Sequence, residues 1–313
     1  MIFTKIYKIY GLKHYIIQKK IMFNLLYYIM KLGVIGNGFV GKATRLLKNK
    51  DIEIIAYDTN HLLCDPYGVT LEDITHCDVI FISVPTPMKA NGQCHTQIVE
   101  NVVESLQKYI NLDEKIVILR STVPVGTATS LNCFFMPEFL TEKNFKLDFI
   151  NNTNWIFGLK PNNKEQNEIF KNKMMYIIST AYMHQNITNK KVTFMCNEEA
   201  EALKLFRNTF LAVKISFCNE FEEFCKNKNI NYETVRKYAT QDDRIKESHT
   251  FVPGHDGKRG YGGTCFPKDI KSLSFQMKQL NMKSFIIDSS IQRNWEIDRK
   301  ENDWIENKGR SII

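Results

Sequence analysis

The chain has no CxxC pair, no cluster of histidines and no apolar run approaching the roughly 20 residues that a helix needs to cross a bilayer. Its eight cysteines, at 64, 77, 94, 133, 196, 218, 225 and 265, are scattered. That spacing predicts neither a metal site nor a disulfide framework, and free thiols suit a reducing, cytoplasmic setting. Internal repeats and low-complexity linkers are also missing. Acids are absent from residues 1–30, which hold Lys5, Lys8, Lys13, Lys19 and Lys20; the formal net charge of +8, less these five, leaves +3 for the rest. A body so nearly balanced argues against a basic nucleic-acid face.

Residues 1–30 also lack the charge-first order and the small-residue cleavage site of a secretory signal. They are expected to form a dispensable extension, with Met30 as an alternative start; an interfacial membrane anchor is the competing reading. The whole length of 313 residues accommodates two domains.

From Lys31 onward, short β-rich runs alternate with amphipathic stretches. "KLGVIG", "EIIAYD", "DVIFISV", "KIVILRS", "CFFMP", "NWIFGLK" and "KVTFMC" are predicted strands, with helices over 39–48, 96–109 and about 163–175. The pattern predicts an α/β fold, a Rossmann-type parallel sheet covered on both faces over residues 31–197. From Glu198 some 30 residues run without Gly or Pro, with apolar side chains at 203, 206, 210, 213, 217, 221 and 224. This is one helical stripe, expected to pack inward along a bridging helix of about 45 Å. A mainly helical second domain, 198–313, follows, with a short helix from near Asn231, a glycine-rich loop, a helix opening at Pro267 and a last one around 283–298.

"GVIGNGFVGKA" places Gly36, Gly38 and Gly41 between the first strand and a helix, the arrangement that turns tightly, admits a pyrophosphate and packs helix on strand. Asp58 ends the second strand, where a carboxylate accepts from both ribose hydroxyls and repels a 2′-phosphate, so NAD is expected over NADP. "SVPTP" and "RSTVPVGT" bring Thr86 and Thr122 to the C-terminal ends of strands, and "MPEFLTE" brings Glu138 and Glu142 to the same edge. Each of these alone is also ordinary strand-end or loop chemistry. Lys204 and Asn208, four apart, face one way as an oxyanion donor pair, unless the lysine only snorkels on a solvated face. In "GYGGTCFPKD" the sulfur of Cys265 stands at a helix start beside Lys268, and both features are expected to lower its pKa. The glycines there are expected to leave room for a substrate, and Asp269 to orient a water or the lysine.

Taken in order, "GNGFVG", "SVPTP", "STVPVGT", "PEFLTE", "EAEALKLFRNTFLA", "DDRI" and "GYGGTCFPKD" make the stretch from about Lys31 to Asp298 resemble the nucleotide-sugar dehydrogenases, the UDP-glucose/GDP-mannose dehydrogenase family. The resemblance implies four-electron oxidation of a nucleotide hexose, UDP-glucose foremost, by two NAD in turn, through a thiohemiacetal and a thioester on Cys265. It implies NAD contacts at Gly36, Asn37, Gly38, Phe39, Val40, Gly41, Asp58, Thr86, Thr122, Glu142 and Lys268. Catalytic roles fall to Cys265, Thr122, Glu138, Lys204, Asn208 and Asp269. The sugar falls to Glu138, Phe139, Leu140, Lys204, Asn208 and Gly262, with Arg244 crossing from the partner of a homodimer built on the long helix. Only 44 residues follow Asp269, too few for the further nucleotide-binding domain usual in the family. The alternatives are a GDP-mannose or UDP-acetamidosugar substrate, a β-hydroxyacid dehydrogenase, or a non-catalytic binder of NAD or nucleotide sugars.

Overall fold

A computed structural model describes residues 29–313. All but the last two residues of the expected extension at 1–30 therefore lie outside the described residues. Strands β1 (Met30–Ile35), β2 (Ile52–Tyr57), β3 (Val79–Ile82), β4 (Ile116–Leu119), β5 (Phe134–Phe135), β6 (Trp155–Leu159) and β7 (Val192–Cys196) form one sheet in the order β2-β1-β3-β4-β5-β6-β7. Helices α1 (Phe39–Thr44), α2 (Leu71–Thr75) and α3 (Gln97–Gln107), then α4 (Thr127–Ser130), α5 (Phe145–Ile150) and α6 (Lys164–Met183), connect them. Both faces are covered, so β3 and β4 are buried at every residue. Side chains alternate between two cores: Phe81, Phe134, Trp155 and Phe170 on one face, Ile80, Ile82, Phe135 and Ala200 on the other.

The expected all-parallel sheet needs one correction. β5 and β6 pair antiparallel, through Phe135 and Gly158. The cause is the connection: six-residue α5 lies at the C-terminal edge of the sheet and never crosses to the other end, so β6 starts where β5 finished. The 20-residue α6 does cross, and β6 and β7 are parallel again.

After β7 comes α7 (Asn197–Asn227), 31 residues long, then α8 (Tyr232–Ala239), α9 (Phe266–Gln279) and α10 (Phe285–Arg293). Most of the stripe expected to pack inward does the reverse; only Leu203 and Val213 are half-buried, Val213 against the core. Phe206, Phe210, Phe217, Phe221 and Phe224 are exposed, and the buried face carries Ala200, Glu201, Lys204, Asn208, Ala212 and Ser216. Short side chains on that face admit close packing of α9 and α10. A small core of Ala212, Tyr261 and Ile270 holds this part together. Among the described residues no helix is long and apolar enough to cross a membrane, and no group of His, Cys, Asp and Glu is arranged to hold a metal ion.

Candidate active site

A cleft of about 660 Å³ opens along the C-terminal edge of the sheet. At one end the first glycine turn fixes its floor. Gly36 has φ +86°, and a Cβ there would stand 2.6 Å from the Ser83 carbonyl oxygen. A Cβ on Gly41 would lie 2.1 Å from the Gly36 oxygen, whereas one on Gly38 would meet nothing within 4 Å. The turn is therefore closed behind and open in front, the cradle that a pyrophosphate needs. Asp58 receives the backbone N–H of Asn37 at 2.8 Å and of Asn60 at 2.9 Å, which hold its carboxylate at the cleft. Asn37 itself is buried; its amide donates to the Leu63 carbonyl and fixes the wall.

Phe39, Val40, Thr86, Thr122, Glu138, Glu142, Cys265 and Lys268 line the same cleft. The Thr86 hydroxyl donates to the Thr122 carbonyl at 2.7 Å, which links the ends of β3 and β4. Behind the lining sit two buried polar pairs. Lys204 donates to the Glu138 carboxylate at 2.7 Å and to its carbonyl at 2.6 Å, while the Leu140 N–H reaches the other carboxylate oxygen at 2.8 Å. Asn208 donates to one oxygen of Asp269 at 2.6 Å, and Lys268 to the other at 2.5 Å. Asp269 thus orients the lysine and the amide. Lys204 and Glu138 are 3% and 5% exposed, so neither the snorkelling lysine nor the solvated glutamate survives. Burial would raise the Glu138 carboxyl, but Lys204, the Leu140 amide and Arg120 together hold it below its ordinary value.

Cys265 is the residue just before α9, which opens one position earlier than expected, at Phe266, with Pro267 second. Its thiol overturns the expected lowering. Burial raises it, Glu138 and Asp269 raise it further, and Lys268 and Lys204 do not offset them. Lys268 already spends its charge on Asp269. The sulfur therefore holds its proton more firmly than an ordinary thiol. The glycines before it also serve another purpose than the one expected. A Cβ on Gly262 would strike the Arg299 guanidinium at 2.4 Å, and one on Gly260 the Asn294 side chain at 2.3 Å, so these two glycines accommodate the protein's own C-terminal part. Gly263, at φ +74°, faces open space.

Phe139 and Leu140 lie on a neighbouring cavity of about 320 Å³, which shares Glu138 and Arg120 with the cleft. Arg244 is not brought to either. Its side chain is 88% exposed and paired with Asp242. The structure adds residues that no motif announced. Arg310 reaches the cleft from the far C-terminal segment, pairs with Glu142 at 2.8 Å and lies 6.0 Å from the Phe39 ring. Backbone bonds between Met88 and both Ser311 and Ile313 hold that end down. Arg120 is buried with one bond to the Thr44 hydroxyl, and burial pushes its guanidinium down to about 10.

Two domains described for the UDP-glucose/GDP-mannose dehydrogenase family match the chain: the NAD binding domain over residues 67–177 and the central domain over residues 198–296. The UDP-glucose 6-dehydrogenase of Rickettsia bellii is 30% identical over 236 residues, 72% of this chain and 51% of the relative. That of Campylobacter jejuni is 28% identical over 310 residues, 87% of this chain and 73% of the relative. The chain therefore spans about half the length of the first of these. Among solved structures, a UDP-glucose dehydrogenase from Pyrobaculum islandicum superposes with a TM-score of 0.72 at 22% identity, covering 86% of this chain and 68% of the other. A 3-hydroxyisobutyrate dehydrogenase from Mycobacterium tuberculosis superposes with a TM-score of 0.61 at 13% identity, covering 84% and 92%.

Proposed function

The chain belongs to the UDP-glucose/GDP-mannose dehydrogenase family and carries its NAD-binding domain, and on that premise we propose that it oxidises a nucleotide hexose, UDP-glucose foremost, to the uronate through Cys265. One observation carries this reading: a cysteine lines the same cleft as the glycine cradle, with a buried lysine–glutamate pair and a buried amide–aspartate pair directly behind it.

Bound NAD supplies the acceptor for each of two hydrides. The chain's own residues handle the protons and the sulfur. Loss of a hydride and a proton from the 6-alcohol gives an aldehyde. The Cys265 sulfur bonds to its carbon while the thiol proton goes to the carbonyl oxygen, giving a thiohemiacetal. A second loss of hydride and proton leaves a thioester, and water then breaks the carbon–sulfur bond, releasing the acid and returning the proton to sulfur. Lys204 and Asn208 are the proposed donors to the oxygen on which charge develops. Asp269, which accepts from Asn208 and Lys268, is the orienter of that amide, and Glu138, ionised beside Lys204, is the group that draws a proton from the attacking water. Thr122, which lines the cleft, supports that water and the cofactor.

The exposed Phe206–Phe224 stripe is the surface on which a second copy would pair, and Arg244, exposed and not lining its own cleft, would then serve the partner's. A β-hydroxyacid dehydrogenase is the second reading, favoured by a fold likeness that spans 92% of such an enzyme. It has no use for Cys265. Turnover of UDP-glucose, GDP-mannose and UDP-acetamidosugars with NAD, with Cys265→Ser as control, tests the proposal: oxidation of one of them by the wild type and its arrest in the variant are expected, and no turnover of any would overturn it.

A further inference from the structure

The segment that carries Thr122 is gripped from two sides. After β4 it turns through Pro124 and Gly126, at φ +93°, into the four-residue α4, which is too short to sustain itself. Glu201, fully buried on α7, accepts the backbone N–H of Gly126 on one carboxylate oxygen at 2.6 Å and that of Ala128 on the other at 2.7 Å. On the far side, Gln276 of α9 accepts the Val125 N–H at 3.0 Å. Glu201 precedes Lys204 by three positions and Asn208 by seven, so all three share one face of α7. The same element therefore holds both the candidate oxyanion donors and the loop that follows Thr122.

We propose that Glu201 is a positioning residue: by tying Gly126 and Ala128 to α7 it sets where Thr122 stands relative to Lys204 and Asn208. The inference rests on the dehydrogenase reading above. A glutamine at this position has one acceptor oxygen and one NH₂ group, so it can satisfy one of the two buried N–H groups and must oppose donor to donor at the other.

The test compares the full-length wild type with Glu201→Gln at pH 8, by amide exchange at Gly126 and Ala128, by the NMR resonance of the Thr122 methyl, and by steady-state NADH formation. The variant should exchange these amides faster, shift the Thr122 methyl and lower kcat about tenfold, the loss expected for one charge-assisted hydrogen bond, with KM for NAD within about twofold. A variant with a lower Tm but an unmoved Thr122 methyl and unchanged kcat has lost only stability, and the proposal falls. If the wild type oxidises no nucleotide sugar, the dehydrogenase reading fails, and the methyl resonance alone decides the positioning role. If the variant does not fold, the wild-type amides decide: protection at Gly126 and Ala128 supports the tie, and open-loop exchange overturns it.

Discussion

The proposed function makes Cys265 the nucleophile, yet burial and two carboxylates act to keep the proton on its sulfur. In the unliganded protein its alkylation by iodoacetamide should be half-maximal above pH 9, the ordinary thiol value. Glu138→Gln removes one of the opposing charges and frees the Lys204 ammonium, so the midpoint should move down. A midpoint below 9 in the wild type, or none of this shift in the variant, would contradict the account. Glycine offers a second test at this scale. Gly41→Ala drives a methyl into the Gly36 carbonyl, against backbone that has nowhere to go, and should cost about 2 kcal/mol of stability or more. Gly38→Ala projects into open space, so its Tm should hold while NAD affinity, followed by NADH fluorescence, falls. Equal effects of the two on stability would contradict the distinct roles drawn from them. Such local chemistry was legible in the sequence because turn glycines and strand ends are written within a few positions. The thiol's environment was not: Lys268 is a chain neighbour, but Glu138 reaches the sulfur only through the fold.

At the scale of elements, α7 shows what periodicity can and cannot establish. The spacing of Phe206, Phe210, Phe217 and Phe221 correctly puts them on one face, but not on the face that meets the core. The opposite face wins because Ala200, Ala212 and Ser216 let other helices approach closely, while Glu201, Lys204 and Asn208 find polar partners there. Burial raises Glu201 to about 7, and its two N–H bonds offset only part of that cost. The protonated form is thus favoured by the fold. Its contribution is fully present below the ordinary value of 4.5 and is lost as pH rises through about 7. A shift of that size corresponds to about 3 kcal/mol. Glu201→Gln, which cannot ionise, should flatten the fall in urea-unfolding free energy between pH 5 and 8; an unchanged slope would contradict the assignment. The phenylalanine stripe makes a separate prediction. Phe217→Glu should convert the proposed dimer to a monomer in sedimentation velocity with little change in Tm, since the ring is 66% exposed in the single chain. A dimer that persists would place the interface elsewhere.

For the molecule as a whole, alternation of strand and helix sufficed to anticipate the Rossmann-type sheet, since each run reports its own burial. The reversal at β5–β6 was hidden because strand direction depends on which edge a connection ends at, and "FKLDFI" looks like any other amphipathic turn of helix. Arg310 was hidden for a similar reason. Nothing around it repeats or signals a site, and only docking of the chain's end on Met88 brings it to the cleft. The proposed function rests on one claim, that a thiol lining the dinucleotide cleft lets a single bound sugar be oxidised twice.

Counting NADH formed per nucleotide sugar consumed, under conditions that run to completion, tests that claim most directly. Two NADH per sugar, with a thioester adduct on Cys265 trapped by acid quench and located by mass spectrometry, is the predicted result. One NADH per sugar, with an aldehyde or ketone as product and Cys265 unmodified, would contradict it.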